Sequence, residues 1–291
     1  LNFPVRTPSE QFVNPISTGT AAHSDLREAV LGGLLEVIER DSIALTWLQR
    51  LRLPAVAVDP STLGEEVAEY HRVGTSTELE THLFDATTDY GVPTLYAVQT
   101  SQVDPELAQV VAATCDIDPQ RALAKIYREL ASLRIALRSH ARGPRAQEIK
   151  GQDLTVVGGA LADAELSMRH VFDFLLEGER PVHALDDIGS LTASRPAAGG
   201  SAGSAGPDPL EQVVTNLERA GAEAIVVDIT TDEARQVGMH VIKALIPEAM
   251  PLSFSHHASY LATPRLYQAP RAMGLTVHDE AGINPVRQPF A

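Results

Sequence analysis

The sequence predicts a mixed α/β fold, because two long segments with helical periodicity are interspersed with short runs of apolar and β-branched residues. The helical segments are residues 24–48 and 121–141. The apolar runs have the length and the bounding turn residues of buried strands, and they cover residues 53–58, 94–98, 110–113, 223–229 and 239–246. With 291 residues, 44% of them hydrophobic, the chain is long enough to bury the core of such a fold.

Composition argues against several classes of protein. No apolar run approaches the roughly 20 residues that span a membrane, and the start at Leu1 lacks the layout of a signal peptide. The formal net charge of -15 argues against nucleic-acid binding, but it is compatible with a cationic partner or with a metal-dependent nucleotide site. We therefore expect a cytoplasmic protein that binds neither membranes nor nucleic acid.

Cysteine and histidine offer little chemistry. The single cysteine, Cys115, rules out a disulfide framework and a cysteine-based zinc site. No positive charge adjoins it in sequence, so a small buried residue is a better interpretation than a nucleophile. The pair His256 and His257 has no neighbouring Asp, Glu or Cys to complete a metal site.

The first long helix follows an extended segment, residues 1–23, that contains three prolines and leads into a loop with Gly19. Asp25 and Glu28 have the spacing of a capping box, with Ser24 as the competing N-cap, so the helix is predicted to begin there. Its apolar face consists of Val30, Leu31, Leu34, Val37, Ile38, Leu45 and Leu48.

Three glutamates, which we call the acidic stripe, share an arc of about 80° on the opposite face: Glu28, Glu36 and Glu39. Gly32 leaves an open notch between them, and Arg40 borders it. A solvated surface is one interpretation. However, Arg40 is the only basic residue at i,i+4 spacing from these glutamates. The carboxylates therefore repel one another, and a bound divalent cation would reduce that repulsion. Because Mg²⁺ is usually held by one or two carboxylates and substrate phosphates, the stripe is a candidate metal–nucleotide site.

The middle of the chain continues with a strand at 53–58, a turn at 59–62 that offers N-cap candidates, and a further helix at 77–87. Strands at 94–98 and 110–113 precede the second long helix, in which Leu123, Ile126, Tyr127, Leu130, Leu133 and Leu137 form the apolar face. Lys125, Glu129 and Ser132 lie together off this face. On its own, the Lys125–Glu129 spacing is typical of a surface ion pair.

The last third begins with a strand candidate at 153–157 and an amphipathic helix at 165–176. Residues 190–209 are almost entirely Ala, Gly, Ser and Pro and are interpreted as a flexible, exposed insertion, with a domain boundary as the alternative. A helix at 210–220, a strand at 223–229, a turn at 230–233 and a strand at 239–246 follow. No phosphate-binding or dinucleotide-binding glycine motif occurs, so any nucleotide is bound by another scaffold.

At three places the sequence resembles the YcaO family. The first is the family pattern S-N-G-x-A-x-G-N-x-x-x-E-A followed by G-x-x-E-x-I-E-R-D, and the second is A-L-x-R-A-L-T-E, which residues 122–129 resemble. The third is the tail at 284–291, which is similar to the proline-rich end N-P-x-P-H-P-F-P of azoline-forming members. The matches to the first pattern are Ser17, Gly19, Ala21, Glu28, Ala29, Gly33, Glu36, Ile38, Glu39, Arg40 and Asp41.

The resemblance covers residues 1–291 as the C-terminal two-thirds or so of a YcaO domain, and it implies a YcaO-type ATP-binding fold. It implies an ATP- and Mg²⁺-dependent cyclodehydratase that converts Cys, Ser or Thr of a ribosomal precursor peptide into thiazoline or oxazoline by phosphorylating the backbone amide oxygen. A leader-peptide-binding partner protein and a homodimer are also implied. The acidic stripe would hold Mg²⁺ and phosphates, Arg40 would stabilise the transferring charge, and the terminal carboxylate of Ala291 would assist proton movement. Ser24, Lys125 and Glu129 complete the implied nucleotide site.

Departures from the family pattern leave alternatives open. The earlier family block S-x-x-x-E-x-x-E-R has no counterpart before Ser17, so either the chain is a fragment or its ATP site is incomplete. A catalytically degenerate scaffold or binding subunit is therefore one alternative, and a thioamide-forming enzyme is another, against which the tail argues. A frayed terminus is the alternative for the tail itself. The substitutions are Thr18 and Ser24 for asparagines, His23 for glycine, Lys125 for arginine, Ser132 for glutamine, and Arg287 and Ala291 for prolines.

Overall fold

The computed structural model describes residues 16–141, 156–191, 208–253 and 259–289. The helices of these segments are α1 (Leu26–Leu48), α2 (Glu65–Thr75), α3 (Pro119–Ala141), α4 (Val156–Asp163), α5 (Asp173–Leu176), α6 (Pro209–Arg219), α7 (Asp232–Gln236) and α8 (Arg265–Ala272). The strands are β1 (Thr20–His23), β2 (Ala55–Ala57), β3 (Leu79–Asp85), β4 (Thr94–Ser101), β5 (Gln109–Cys115), β6 (Val182–Ala184), β7 (Ile225–Asp228) and β8 (His240–Leu245). Short 3₁₀ helices cover Leu166–Phe172, Leu185–Asp187 and Glu280–Gly282.

The strands form two sheets, which confirms the mixed α/β prediction. A three-stranded antiparallel sheet has the order β1-β8-β7, and a five-stranded sheet has the order β5-β4-β3-β2-β6. All neighbours in the larger sheet are antiparallel except β2 and β6, which run parallel. Within the described ranges, no helix is long and apolar enough to cross a membrane.

Helix α1 lies between the two sheets and contacts β1 and β8 on one side and β4 and β5 on the other. Its first half packs Leu34 and Ile38 against Ile242 of β8. Its second half packs Trp47 against Phe84 of β3, and from Asp41 to Gln49 every residue is buried. The predicted apolar face is therefore buried apart from Val30, which is partly buried, and the C-terminal half of the helix has no solvent-facing side.

The predicted N-cap of α1 is Asp25, whose carboxylate accepts hydrogen bonds from the Arg27 and Glu28 amides at 2.8 and 3.2 Å. The amide of Asp25 itself donates to Nδ1 of His23 at 3.0 Å. The N-cap half of the capping box is thus present. In a full box the Glu28 carboxylate would accept from the Asp25 amide, but here this amide donates to the imidazole of His23 in the preceding strand.

The predicted helix at 77–87 is wrong, because this segment is strand β3, paired along its whole length with β4. The helix before it is α2, and its N-cap is Gly64 rather than a residue of the turn at 59–62. Leu83 and Phe84 are both buried because β3 lies in the interior of the sheet, with α3 on one face and α1 on the other. Burial of both faces removes the alternation that would have indicated a strand.

The remaining differences are smaller. Residues 156 and 157 of the predicted strand at 153–157 begin helix α4, and 153–155 lie outside the described residues. The predicted helix at 165–176 is a 3₁₀ helix followed by α5, and the turn at 230–233 leads into α7. Of the predicted insertion at 190–209, residues 192–207 lie outside the described residues, as do His256 and His257.

The described part of the tail packs against the C-terminal end of α1. Nδ2 of Asn284 donates to the carbonyl of Trp47 at 3.1 Å, and the indole nitrogen of Trp47 donates to the carbonyl of Val286 at 2.9 Å. Nε of Arg287 lies 3.6 Å from the buried carboxylate of Asp163. The tail is therefore held by hydrogen bonds as far as Val286 and by an ion pair at Arg287, which argues against fraying over residues 284–287.

Candidate functional site

Glu36 turns inward from the face of α1 towards the loop that precedes β1. Its Oε2 accepts a hydrogen bond from the amide of Gly19 at 2.9 Å. Gly19 has φ +80°, in the left-handed region that glycine tolerates, and a Cβ there would lie 2.3 Å from the carbonyl oxygen of Ala244. Only glycine allows the backbone to approach β8 this closely while its amide reaches the carboxylate.

Glu39 makes the equivalent contact with the other sheet. Its Oε2 accepts a hydrogen bond from the amide of Cys115, at the end of β5, at 3.0 Å. The side chain is 17% exposed. Burial is the main cause of a raised pKa of about 7 for Glu39, against which Arg40, the Cys115 amide and Lys125 act only in part.

Arg40 joins the two carboxylates. Its Nη1 lies 3.1 Å from Oε1 of Glu39, and its Nη2 lies 3.6 Å from Oε1 of Glu36. The side chain of Arg40 is 27% exposed, so the guanidinium is only partly withdrawn from solvent. Two half-buried carboxylates, each held by a backbone amide of a different sheet, therefore share one guanidinium.

The other predicted ligands on α1 are more open. Glu28 and Ser24 are both exposed at the N-terminal end of the helix. Their neighbour Arg27 forms an ion pair with Asp208, which is the N-cap of α6. This end of the stripe is thus anchored by α6, while the Glu28 carboxylate faces solvent.

Lys125 lies near Glu39, and its ammonium does not form the ion pair with Glu129 that the i,i+4 spacing indicated. Nζ of Lys125 contacts Oδ2 of the buried Asp116 at 2.7 Å and the carbonyl of Cys115 at 3.5 Å. Glu129 is exposed one turn farther along α3, and no ion pair of the described segments joins it to Lys125. The structure therefore brings Glu36, Glu39, Arg40 and Lys125 together and leaves Glu129 at the rim.

Two residues beside the stripe were missed by the sequence reasoning. Asp116 holds Lys125, and Lys243 of β8 donates from Nζ to the carbonyls of Ile16 and Thr18 at 2.7 and 2.5 Å. The sequence did contain a signal for Lys243, because a charged residue inside an otherwise apolar strand indicates a specific role for that residue.

The carboxylates fit a Mg²⁺–phosphate group better than a metal ion held by protein alone. In the described part of the chain, no three His, Cys, Asp or Glu side chains are grouped closely enough to hold a metal ion. The stripe as a three-glutamate ligand set therefore remains a prediction. Glu36 and Glu39 present hard oxygen ligands, and Mg²⁺ typically takes one or two carboxylates and completes its shell with water and phosphate oxygens.

Ala291 lies outside the described residues, so its catalytic role also remains a prediction. Pro289 lines a small cavity together with Gln109 and Val111, near the start of β5. Cys115, which contacts the stripe, is at the other end of β5, about 20 Å away at the usual rise per residue. As far as it is described, the tail does not reach the acidic stripe.

The raised pKa of Glu39 gives a prediction for the pH dependence of stability. Its value is about 7 in the folded chain against an ordinary 4.5, so between these values the folded state binds more protons than the unfolded state, and stability falls as pH rises. Glu39→Gln removes this titration. From pH 5 to pH 8, the wild type should lose up to about 3 kcal/mol of unfolding free energy relative to Glu39→Gln, as measured by urea denaturation.

The matched control is Glu66→Gln, an exposed glutamate in the first turn of α2. Its variant should follow the pH dependence of the wild type. Equal pH slopes for the wild type and Glu39→Gln would contradict the prediction.

The chain is similar to a known protein family and to known protein sequences. A family model described as YcaO cyclodehydratase, ATP- and Mg²⁺-binding, matches residues 1–250. An uncharacterized protein from the tfuA 3′ region of Rhizobium leguminosarum bv. trifolii is 35% identical over 128 residues, which are 41% of this chain and 30% of that protein. An uncharacterized protein of Methanothermobacter thermautotrophicus is 29% identical over 239 residues, 79% of this chain and 55% of that protein. The chain thus spans less than two thirds of either relative.

Solved structures of other proteins share the fold. A heterocyclase in complex with substrate and cofactor gives a TM-score of 0.71 at 23% identity, covering 99% of this chain and 35% of that one. The YcaO of Methanopyrus kandleri bound with AMPPCP and Mg²⁺ gives 0.55 at 21% identity, with 80% and 56% covered. The E. coli microcin synthetase McbBCD complex with pro-MccB17 bound gives 0.53 at 16% identity, with 81% and 55% covered.

Proposed function

The chain belongs to the YcaO family, and from this premise we propose that it supplies the ATP site of a peptide cyclodehydratase. In this proposal a Cys, Ser or Thr side chain of a ribosomal precursor peptide attacks the preceding backbone carbonyl. The side chain loses its proton as it attacks, and the resulting oxygen would receive the terminal phosphoryl group of ATP with release of ADP. Phosphate would then leave as the amide nitrogen loses its proton, which yields a thiazoline or oxazoline.

The observation that carries the proposal is the pairing of Glu36 and Glu39 around Arg40. Each carboxylate is oriented by a backbone amide, from Gly19 and Cys115 respectively, so neither depends on a flexible side chain for its position. Such preorganised carboxylates are suited to hold Mg²⁺ against phosphate oxygens without reorganising. Burial of most of the Glu39 side chain makes its negative charge unfavourable, and a bound cation would offset that cost.

The other roles are those that the family resemblance implies. Bound Mg²⁺–ATP would supply the transferable phosphoryl group. Glu28, Glu36 and Glu39 would hold the metal, and Arg40 would stabilise the charge on the transferring group. Lys125, Ser24 and Glu129 would complete the nucleotide site, and the carboxylate of Ala291 would accept or return a proton.

Partners are part of the same proposal. The microcin synthetase that shares the fold is a complex with a peptide bound, which supports a precursor peptide and a leader-binding partner protein for this chain. We also propose a homodimer and a cytoplasmic location, both from the family resemblance.

Calorimetric titration of the purified protein with ATP in the presence of Mg²⁺ tests the proposal. The wild type should bind, and the Glu36→Gln, Glu39→Gln double variant should bind at least about tenfold more weakly, since both oriented carboxylates lose their charge. Glu66→Gln is the matched control and should bind like the wild type. Absence of binding by the wild type would contradict the enzyme and favour a scaffold subunit that no longer uses ATP.

A further inference from the structure

Lys243 connects strand β8 to the loop that precedes β1. Its Nζ donates to the carbonyls of Ile16 and Thr18 at 2.7 and 2.5 Å. These carbonyls lie outside the ladder between β1 and β8, whose register begins at Thr20 opposite Lys243. The lysine therefore binds the part of the loop that the sheet itself does not hold.

The same loop carries the amide that orients Glu36. The carbonyl of Ser17 accepts a hydrogen bond from the amide of Thr20 at 2.8 Å, and this bond closes a turn over Thr18 and Gly19. The amide of Gly19 then points to Oε2 of Glu36. The ammonium of Lys243 holds the carbonyls of Ile16 and Thr18, which lie on either side of Ser17. It thereby fixes the direction in which the Gly19 amide points.

A second lysine has the same relation to the other carboxylate. Nζ of Lys125 contacts Asp116 and the carbonyl of Cys115, and the amide of Cys115 holds Glu39. Each carboxylate of the pair thus receives a backbone amide from a segment that a lysine ties down. The two arrangements belong to different sheets, so they are built independently.

We propose that Lys243 is a positioning residue of the nucleotide site, acting through the loop at 16–19 and the Gly19 amide on Glu36. The inference rests on the proposed function, because Glu36 is taken there as a ligand of Mg²⁺–ATP. Lys243 does not itself contact the reacting atoms in this assignment.

The test is a double-mutant cycle with Glu36. Lys243→Met should weaken Mg²⁺–ATP binding about tenfold in the wild type and less than about twofold in the Glu36→Gln variant, since the lysine acts through that carboxylate. Lys243→Arg should bind within about threefold of the wild type, because a guanidinium can also donate to two carbonyls. Lys243→Gln, which keeps a donor for one carbonyl, is measured in parallel so that a folding failure of Lys243→Met leaves the cycle measurable.

Hydrogen exchange of residues 16–22 without nucleotide separates the two proposals. Lys243→Met should increase exchange in this segment, and Lys243→Arg should not. Equal losses of binding in both Glu36 backgrounds, or unchanged exchange, would overturn the positioning role. If the wild type fails to bind Mg²⁺–ATP while exchange responds as expected, the proposed function fails and the ordering of the loop by Lys243 stands.

Discussion

Asp41→Asn is expected to lower the free energy of unfolding by about 3 to 5 kcal/mol, the usual cost of breaking a buried ion pair on one side. Asp41 is fully buried in α1, and its two oxygens accept from Nε and Nη2 of Arg265 at 2.6 and 2.7 Å. Oδ1 also accepts from the amide of Met250 at 2.7 Å. Among the residues that the structure describes, the substitution would leave the buried guanidinium with Asp89 as its one remaining charged partner.

Arg265 remains positively charged in the folded protein. Burial alone would lower the pKa of Arg265, but the carboxylates of Asp41 and Asp89 raise it above the ordinary value. The guanidinium also stacks 3.5 Å above the ring of Tyr90. Neutralising Asp41 therefore cannot be compensated by deprotonation of Arg265.

Urea denaturation measures this loss. Glu69→Gln is the matched control, because Glu69 forms an exposed pair with Arg72 that solvent screens, so its variant should unfold at nearly the same urea concentration as the wild type. The Asp41→Leu, Arg265→Met double variant should be less destabilised than the sum of its single variants, since both buried charges are removed together and only the partly exposed Asp89 loses a partner. A loss below about 1 kcal/mol for Asp41→Asn would contradict the buried-pair argument.

Gly19→Ala is expected to destabilise the fold by at least about 3 kcal/mol and to weaken Mg²⁺–ATP binding more than about tenfold. The left-handed φ accounts for part of the cost. The larger part comes from the added Cβ, which would lie 2.3 Å from the carbonyl oxygen of Ala244 and 2.9 Å from Val37. Relief requires breaking the bond from the amide of Ala244 to the Gly19 carbonyl, at 2.7 Å, and moving the amide that holds Glu36.

Two other glycines separate these contributions. Gly221 has φ +77° with open space around it, so Gly221→Ala reports backbone strain alone, about 1 to 2 kcal/mol. Gly32 lies in α1 with only an ordinary contact at 3.6 Å, so Gly32→Ala should stabilise by about 0.5 to 1 kcal/mol. Urea denaturation and calorimetry of the three variants check the prediction, which fails if Gly19→Ala costs no more than Gly221→Ala.

Local sequence signals were sufficient for the elements with one buried face or a clear cap. Asp25 caps α1 where the spacing to Glu28 indicated, and α3 covers the segment predicted from its apolar face. Strand β3 was mistaken for a helix because it lies inside a sheet covered on both faces, which removes the alternation that marks a strand. That burial depends on α1 and α3, which lie far away in sequence.

Only the part of the candidate site that consists of α1 side chains could be predicted from the sequence. The spacing of Glu36, Glu39 and Arg40 placed them on one face, and the structure keeps them together. The Gly19 and Cys115 amides could not be predicted as their partners, because a backbone amide has no sequence signature. Lys125 pairs with Asp116 rather than with Glu129 because of the path of the chain between β5 and α3, which the spacing of residues does not show.

The position of α1 between the sheets determines how the molecule comes apart. Its first half belongs to the core that includes β8 and α6, and its second half belongs to the core that includes β3, β4 and α8. Neither core can lose its order without exposing one half of a continuous hydrogen-bonded helix, so melting of one core removes support from the other. The helix thus couples these two cores, and we expect a defect in either of them to lower the stability of both.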